Sequence, residues 1–232
     1  MMLAKWDKLP EQMKTETVRR YYDALQKKKA SLALKRFFDL LVSLLMLIIL
    51  SPLLLLLAIL IKLDSAGPVF YRQERMTAGG RTFRIFKFRT MVQNADKIGS
   101  LVTVERDPRI TRVGAKIRKV RLDELPQLLN IVRGEMSFVG TRPEVKKYVE
   151  RYTEEMWATL LLPAGVTSLA SIEYKDEDEI ISAHTALGES ADEVYVSHVL
   201  PEKMKYNLEY LKSFSFWGDI ALMFKTVVSV IK

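Results

Sequence analysis

Asp123 and Glu124 are the residues best placed to do chemistry. They stand in the stretch Leu122-Asp123-Glu124-Leu125-Pro126-Gln127-Leu128-Leu129-Asn130, two adjacent carboxylates just ahead of a proline. An ionised carboxylate among cations and near phosphate groups can serve as a nucleophile or clamp a metal ion. The flanks are basic: Arg112, Lys116, Arg118, Lys119 and Arg121 come before, Arg133 and Arg142 after. Leu125, Leu128, Leu129 and Val132 recur at helical spacing, so a helix is expected with Pro126 at its first position, where the missing N–H is tolerated. Asp123 and Glu124 would then sit at or just before the helix N-terminus, whose partial positive charge favours carboxylates and bound phosphate. Taken alone, a solvated Asp-Glu pair beside a capped helix is the more ordinary meaning of so short a motif.

Other candidates are scattered along the chain. Lys87, Arg89 and Thr90 stand at the end of an expected β-hairpin over residues 67–91, opened by Gly67-Pro68 and turned at Ala78-Gly79-Gly80. Such a cluster could hold phosphate, and an ordinary charged strand end is the plainer alternative. Ser137-Phe138-Val139-Gly140-Thr141-Arg142-Pro143 is expected to be a loop that presents Arg142. Asp176-x-Asp178 has a spacing found at metal–nucleotide sites, but a solvated acidic loop over 173–182 is the simpler expectation. His184 and His198 have no partner visible in sequence and are assigned no chemistry.

The elements that must carry these residues follow from composition and periodicity. The chain has 232 residues, 49% hydrophobic and 28% charged, enough for a packed core and for one domain or one with a small appendage. Its net charge of +8 suggests anionic partners such as nucleic acid, acidic lipid or phosphorylated substrates. Cysteine is absent, which excludes disulfides and thiolate chemistry and fits a cytoplasmic setting. A signal peptide is not expected, because the apolar segment begins only at Phe37 and lacks a small-residue cleavage site. Residues 1–34 are basic, with apolar positions at loosely helical intervals. They are expected to form one or two amphipathic helices or a solvated extension.

Residues 37–61 are almost wholly apolar. As one straight helix they would reach about 38 Å, enough for a hydrocarbon core of about 30 Å. Ser51-Pro52 lies just past the middle, where Pro52 cannot donate to the Ile48 carbonyl and a kink is expected. The Ser51 hydroxyl can bond to a carbonyl one turn earlier and soften that loss. Both flanks are basic, whereas a crossing helix normally shows a bias to one side. Asp39 is one turn after Lys35 and can pair with it. These features leave a dipping helix and a spanning one both open.

Ile110, Val113, Ile117 and Val120 make a basic amphipathic helix suited to an anionic membrane or to an ordinary surface. Residues 144–162 read as helix, ended by Pro163. Glu202 to Lys232 reads as helix with an aromatic-rich apolar face.

Several of these segments, in order over residues 35–172, together resemble the bacterial sugar transferases, the monotopic polyprenyl-phosphate phosphoglycosyl transferases. The matching pieces are Lys35-Arg36-Phe37-Phe38-Asp39, Ser51-Pro52, Gly67-Pro68-Val69-Phe70, Lys87-Phe88-Arg89-Thr90-Met91, Leu122 to Gln127, and Ser137 to Pro143. The short C-terminal region suits the small, single-domain type. The resemblance implies transfer of a sugar 1-phosphate from a UDP-sugar to polyprenyl (undecaprenyl) phosphate, with release of UMP. That is a first membrane step of glycan, exopolysaccharide, lipopolysaccharide or glycoprotein glycan assembly, at the cytoplasmic face of the bacterial inner membrane. It further implies Asp123 as the nucleophile that forms a phosphosugar intermediate in a ping-pong reaction. Glu124 is implied at Mg²⁺ with Asp123, and Arg118 and Arg142 at the substrate phosphates; Lys87 and Arg89 join the expected substrate-binding set. Membrane lipid is an expected partner, nucleic acid is not, and a homodimer is left open. Thr141 stands where the family usually has proline, and Ala164, Ser168 and Ser171 replace its usual Pro, Gly and Gln, so the sugar is not implied.

The fold class expected is therefore α+β, mainly α: a monotopic membrane protein with a re-entrant helix-break-helix, amphipathic interfacial helices and a small β-hairpin. The divisions are an extension over 1–34, a re-entrant helix over 35–63 bent at Ser51-Pro52, a cytoplasmic catalytic core over 64–172 and a C-terminal helical region over 173–232. Two other classes compete. A glycosyltransferase using Asp176-x-Asp178 would release UDP rather than UMP. A non-catalytic membrane scaffold would bind anionic lipid or nucleic acid in a salt-sensitive way without turnover.

Overall fold

The most apolar stretch of the chain becomes its longest helix. In a computed structural model, which describes residues 3–95, 107–174 and 177–231, α1 (Glu16–Gln26) leads directly into α2 (Lys29–Asp64). Thr15 caps α1 by accepting from the Val18 N–H at 3.3 Å. The apolar face of α1, Val18, Tyr21, Tyr22 and Leu25, is buried in the main hydrophobic cluster together with Leu3, Leu9 and Met13. Residues 3–26 are thus core and not a solvated extension.

α2 has 36 residues and stays helical through Pro52, so the expected break is not a break in secondary structure. The physical reason is local. Pro52 leaves the Ile48 carbonyl without its helical donor, and the Ser51 hydroxyl donates to that carbonyl at 2.8 Å. Two stripes run along α2. Leu32, Lys35, Asp39, Ser43, Leu57 and Ile61 are buried against the protein, while Phe37, Leu41, Leu45, Ile48, Leu55, Ile59 and Leu63 are exposed. Residues up to Leu50 pack on the main cluster, and those from Leu53 onward pack on a separate cluster of Leu57, Ile61, Phe88 and Ile117. The seam between the two falls at Ser51-Pro52.

The hairpin forms as expected. β1 (Phe70–Thr77) pairs antiparallel with β2 (Arg81–Phe88), from Phe70 opposite Phe88 to Thr77 opposite Arg81. Gly79 (φ 70) and Gly80 (φ 68) make the turn in the left-handed region that glycine tolerates. α3 (Arg112–Lys119) follows the undescribed residues 96–106 and is capped by Thr111, whose hydroxyl accepts from Gly114 N–H at 3.0 Å. Its Val113 and Ile117 pack against α2 and Phe88, so of the two expectations for this stripe, lipid or an ordinary protein surface, most of it follows the second; Val120 stays exposed.

A 3₁₀ segment over Leu122–Gln127 then leads to the short α4 (Leu128–Val132). The expected loop at Ser137 opens instead as a strand. β3 (Met136–Val139) pairs in parallel with β4 (Ala164–Thr167), Met136 opposite Ala164 and Val139 opposite Thr167. Gly140 and Gly165 are required there: a Cβ on Gly140 would stand 2.5 Å from the Pro163 carbonyl oxygen, and one on Gly165 2.2 Å from the Gly140 nitrogen. Residues 144–162 are not one helix. They break into α5 (Lys146–Val149) and a 3₁₀ segment, Glu155–Leu160. The region expected to be an acidic loop holds α6 (Leu169–Glu173) and α7 (Glu177–Ala186). α8 (Ala191–Val194), one π-helical turn (Tyr195–Val199), α9 (Leu200–Ser213) and α10 (Phe216–Ile231) complete the chain. Among the described residues the fold is mainly helical with two small sheets, in line with the expected mainly helical α+β class.

Candidate functional site

The Asp-Glu pair is held from three directions. Arg121 opens its turn in the left-handed conformation (φ 54), a strained choice for a non-glycine residue, and the Glu124 N–H returns to the Arg121 carbonyl at 3.2 Å. The two carboxylates lie inside a 3₁₀ segment one turn ahead of α4, and Pro126 is buried within that segment. Pro126 is therefore not the first residue of the following helix, and α4, five residues long, offers little dipole. Below them, Asn130 of α4 is fully buried. Its Oδ1 accepts from the Phe86 N–H at 2.8 Å, and its Nδ2 donates to the Arg84 carbonyl at 3.0 Å and to Glu135 Oε2 at 2.7 Å. That fixes the return strand of the hairpin against α4 and brings Lys87 to Glu124.

The first residues of α2 bind the same group of elements. Arg36 donates to the carbonyls of Ile131 at 2.6 Å and Val132 at 2.9 Å, closing the C-terminal end of α4. Asp39 does not form the expected ion pair with Lys35. Its carboxylate accepts from the Ser137 hydroxyl at 2.8 Å and from the Phe138 N–H at 3.3 Å, while Lys35 donates to the Val139 carbonyl at 2.8 Å and pairs with buried Asp219 of α10. The reason is proximity: β3 supplies Asp39 with two buried donors, and α10 supplies Lys35 with a buried carboxylate. One helix thus fixes the end of α4 and the strand that leads to Arg142.

Glu124 Oε1 accepts from Lys87 Nζ at 2.8 Å and from Arg142 Nη2 at 3.4 Å. Burial alone would raise the Glu124 carboxyl, but the Arg142 guanidinium and the Lys87 ammonium outweigh it and hold the group down at about 2. Burial pulls Lys87 down, against the charge of Glu124, and the carboxylate of the pair stays ionised. Asp123 goes the other way. Burial, with the Glu124 charge beside it, lifts its carboxyl above the ordinary range against Lys87 and Arg118. Two neighbouring carboxylates pushed apart in this manner are a common mark of a reactive site.

A cavity of about 920 Å³ opens beside them. Arg118, Glu124 and Arg142 wall it; Asp123, Lys87 and Arg89 do not. Asp123 is half-buried, one residue from the wall. Arg89, expected among the phosphate-binding groups, is buried elsewhere. Its guanidinium donates to the Ser65 carbonyl at 2.7 Å, to the Ser65 hydroxyl and to the Ala66 carbonyl, tying down the chain as it leaves α2.

The far wall was not foreseen. There Tyr195 donates to Glu144 Oε1 at 2.6 Å, and Lys203 reaches the Tyr195 hydroxyl and Glu177, both at 3.1 Å. Glu144 follows Arg142-Pro143 directly, which was the one signal for it; Lys203 lies in a helix rich in charge and gave none. Val166, Thr167, Ala170, Ser171 and Ile172 also face the cavity, so the segment that departs from the resembled family forms part of its wall. Met46, Leu125, Leu128 and Phe138 give the cavity an apolar side that meets α2. Asp176 and the side chain of Asp178 fall outside the described residues.

The arrangement offers cations for a multiply charged phosphate, one stable anion, one carboxylate of altered affinity for protons and an apolar flank. A family model described as bacterial sugar transferase matches residues 30–232. Among curated proteins, the chain is 36% identical over 202 residues to the UDP-N-acetylgalactosamine-undecaprenyl-phosphate N-acetylgalactosaminephosphotransferase of Aeromonas hydrophila, covering 85% of this chain and 44% of that protein. It is 38% identical over 200 residues to the undecaprenyl-phosphate glucose phosphotransferase of Komagataeibacter xylinus, covering 83% of this chain and 35% of that one. With the exopolysaccharide production protein ExoY of Sinorhizobium fredii it shares 36% identity over 211 residues, 84% of each. The chain therefore spans less than half the length of the first two relatives and most of the third.

Proposed function

The chain belongs to the bacterial sugar transferase family, and from that premise we propose that it transfers a sugar 1-phosphate from a UDP-sugar to polyprenyl phosphate, releasing UMP. The observation that carries this reading is the setting of Asp123-Glu124 between Lys87, Arg118 and Arg142 beside a cavity with one charged and one apolar wall. An Asp123 carboxylate oxygen attacks the phosphorus that bears the sugar. The bond from that phosphorus to the bridging oxygen breaks, and UMP leaves with the electron pair. A phosphate oxygen of the polyprenyl carrier then attacks the same phosphorus, expelling the carboxylate and forming the lipid diphosphate sugar.

The residues have separate tasks. Arg118 and Arg142 neutralise the diphosphate so that an anion can approach it. Lys87 and Arg142 keep Glu124 ionised. Two adjacent carboxylates are an oxygen-only donor set that suits a hard divalent cation, which takes one or two carboxylates and completes its shell with phosphate and water. Asp123 and Glu124 would hold Mg²⁺, which supplies further neutralisation of the diphosphate. The apolar side toward Met46 and Phe138 suits the carrier's hydrocarbon, and the wall at 166–172 bears on the choice of sugar.

The same reading places the protein on the cytoplasmic face of the inner membrane, with α2 dipping in and returning. Its support is that the two halves of α2 pack on two clusters of one folded unit, with basic residues at both ends. The exposed stripe of α2 and exposed Trp217, Phe224, Val227 and Val228 of α10 supply the surface for lipid.

The test is the intact mass of detergent-solubilised protein incubated with Mg²⁺ and a panel of UDP-sugars without polyprenyl phosphate. A gain of one phosphosugar on Asp123, discharged by polyprenyl phosphate, is expected, and the sugar that gives it names the donor. Asp123→Asn should fold, bind membrane and release no UMP. Normal turnover by that variant, or UDP as the product, overturns the reading.

A further inference from the structure

His184, Glu189 and His198 come from two elements and meet at one place on the surface. His184 sits in the last turn of α7. That helix ends at Gly188 (φ 90), where the Glu189 N–H returns to the His184 carbonyl at 3.2 Å and folds Glu189 back beside the histidine. Glu189 Oε1 lies 2.8 Å from His184 Nδ1. His198 arrives from the π-helical turn, and its ring stacks on that of His184 with centroids 4.4 Å apart and planes inclined by 28°. One ring nitrogen of each histidine and one carboxylate oxygen of Glu189 lie within 4.8 Å of one another. A helix-end hydrogen bond accounts for His184 and Glu189, but not for the third ligand-bearing side chain brought to them by another element.

We propose that this trio is a binding site for a divalent transition-metal ion of the Zn²⁺ class, separate from Asp123-Glu124. Imidazole nitrogen favours zinc, copper or nickel over magnesium and calcium, so the two sites differ in the ion they select. A tetrahedral zinc holds nitrogen and oxygen ligands at about 2.0–2.2 Å, which places ligand atoms about 3.4 Å apart. Closing from 4.8 Å to that spacing needs only side-chain rotation, and Glu189 and His198 are exposed with His184 half-buried, so the rotation is open to them. Three protein ligands leave the fourth position to water. The ion takes the place of the proton shared between His184 and Glu189, which moves to the other ring nitrogen of the neutral imidazole. Such an ion clasps α7 to the π-helical turn. The other ends of these two segments carry Glu177 and Tyr195, which meet Lys203 on the cavity wall. Its role is to hold that wall and not to touch substrate.

The experiment uses tag-free, detergent-solubilised protein stripped with a chelator. Zn²⁺ is titrated against a chromophoric indicator, and thermal unfolding is followed with and without Zn²⁺. The expected result is one strong equivalent per chain and a raised unfolding temperature. His184→Ala and His198→Ala should each weaken binding at least about 10-fold and remove the shift. Circular dichroism and a second variant, His198→Asn, guard against a folding defect. Asp123→Asn should keep the zinc equivalent. Absence of stoichiometric binding, or binding unchanged in both histidine variants, overturns the proposal. No nucleotide sugar enters the assay, so its outcome is independent of the transferase reading.

Discussion

Glu124 shows how far the role of one residue depends on its neighbours. Its carboxylate is depressed to about 2 because Arg142 and Lys87 outweigh burial. A group whose folded value lies below its unfolded one contributes stability that is complete above the ordinary value of 4.5 and is lost as pH falls toward about 2. Urea unfolding at a series of pH values should therefore show Glu124→Gln less stable than the parent at pH 7, with the gap narrowing below about 4.5 and vanishing near the folded value. A gap independent of pH would mean that Glu124 acts by shape and not by charge. At this scale much was legible: Asp123, Glu124 and Arg142 stand in motifs whose order in the chain is itself a signal, and Arg118 was expected only from the family resemblance. Arg89 was not, because a sequence reports a charge without its partner, and the carbonyls left at the end of α2 drew the guanidinium away. Glu144, Tyr195 and Lys203 were hidden because their partnership exists only across elements.

At the scale of elements the site rests on small pieces. Asn130 ties the hairpin to α4 by hydrogen bonds, accepting from the Phe86 N–H and donating to the Arg84 carbonyl and to Glu135, beside the apolar packing of Phe83 and Ile85 with Leu128 and Ile131 in the main cluster. Asn130→Ala should lower stability by about 3 kcal/mol in denaturant unfolding, since it strands a buried backbone donor along with the other bonds. It should also impair turnover more than substrate-free folding, because Lys87 shifts relative to Glu124. A loss below about 0.5 kcal/mol would show that the hairpin is held by packing alone. The hairpin was legible from its Gly-Gly turn and alternation. The β3–β4 pair was not: four residues are too few for a period, and Gly140 and Pro143 made the stretch look like loop. The real constraint there is the close approach of two backbones, which excludes any side chain at Gly140 and Gly165. Residues 144–162 misled in the opposite sense, since apolar positions at helical intervals were filled by two short turns bent around the core.

At the scale of the whole molecule, α2 carries a long exposed apolar stripe and is also the member that holds the site together. Both of its ends meet the same folded unit: Lys35 and Asp39 reach β3 at one end, and Asp64 accepts from the Val113 N–H at 2.9 Å at the other. With no native cysteine, Ala30→Cys and Ala66→Cys can be probed singly. An impermeant maleimide should reach both from the cytoplasmic side only. Labelling from opposite sides would establish a crossing helix and remove the dipping arrangement. The length and apolarity of α2 were plain in sequence, but its two stripes were not, because both are made largely of leucine and isoleucine.

Those stripes make the helix sensitive to rotation as well as to length. Leu57 and Ile61 are seated among Phe88 and Ile117 only while they stay in phase with Lys35 and Asp39 at the other end. One alanine inserted between Leu45 and Met46 adds about 1.5 Å but turns everything beyond it by about 100°, swinging Leu57 and Ile61 out of their seats. Seven inserted residues add about 10 Å yet restore the phase to within about 20°. Seven should therefore preserve more turnover than one, a ranking opposite to that of a simple tether, in which only added length would matter.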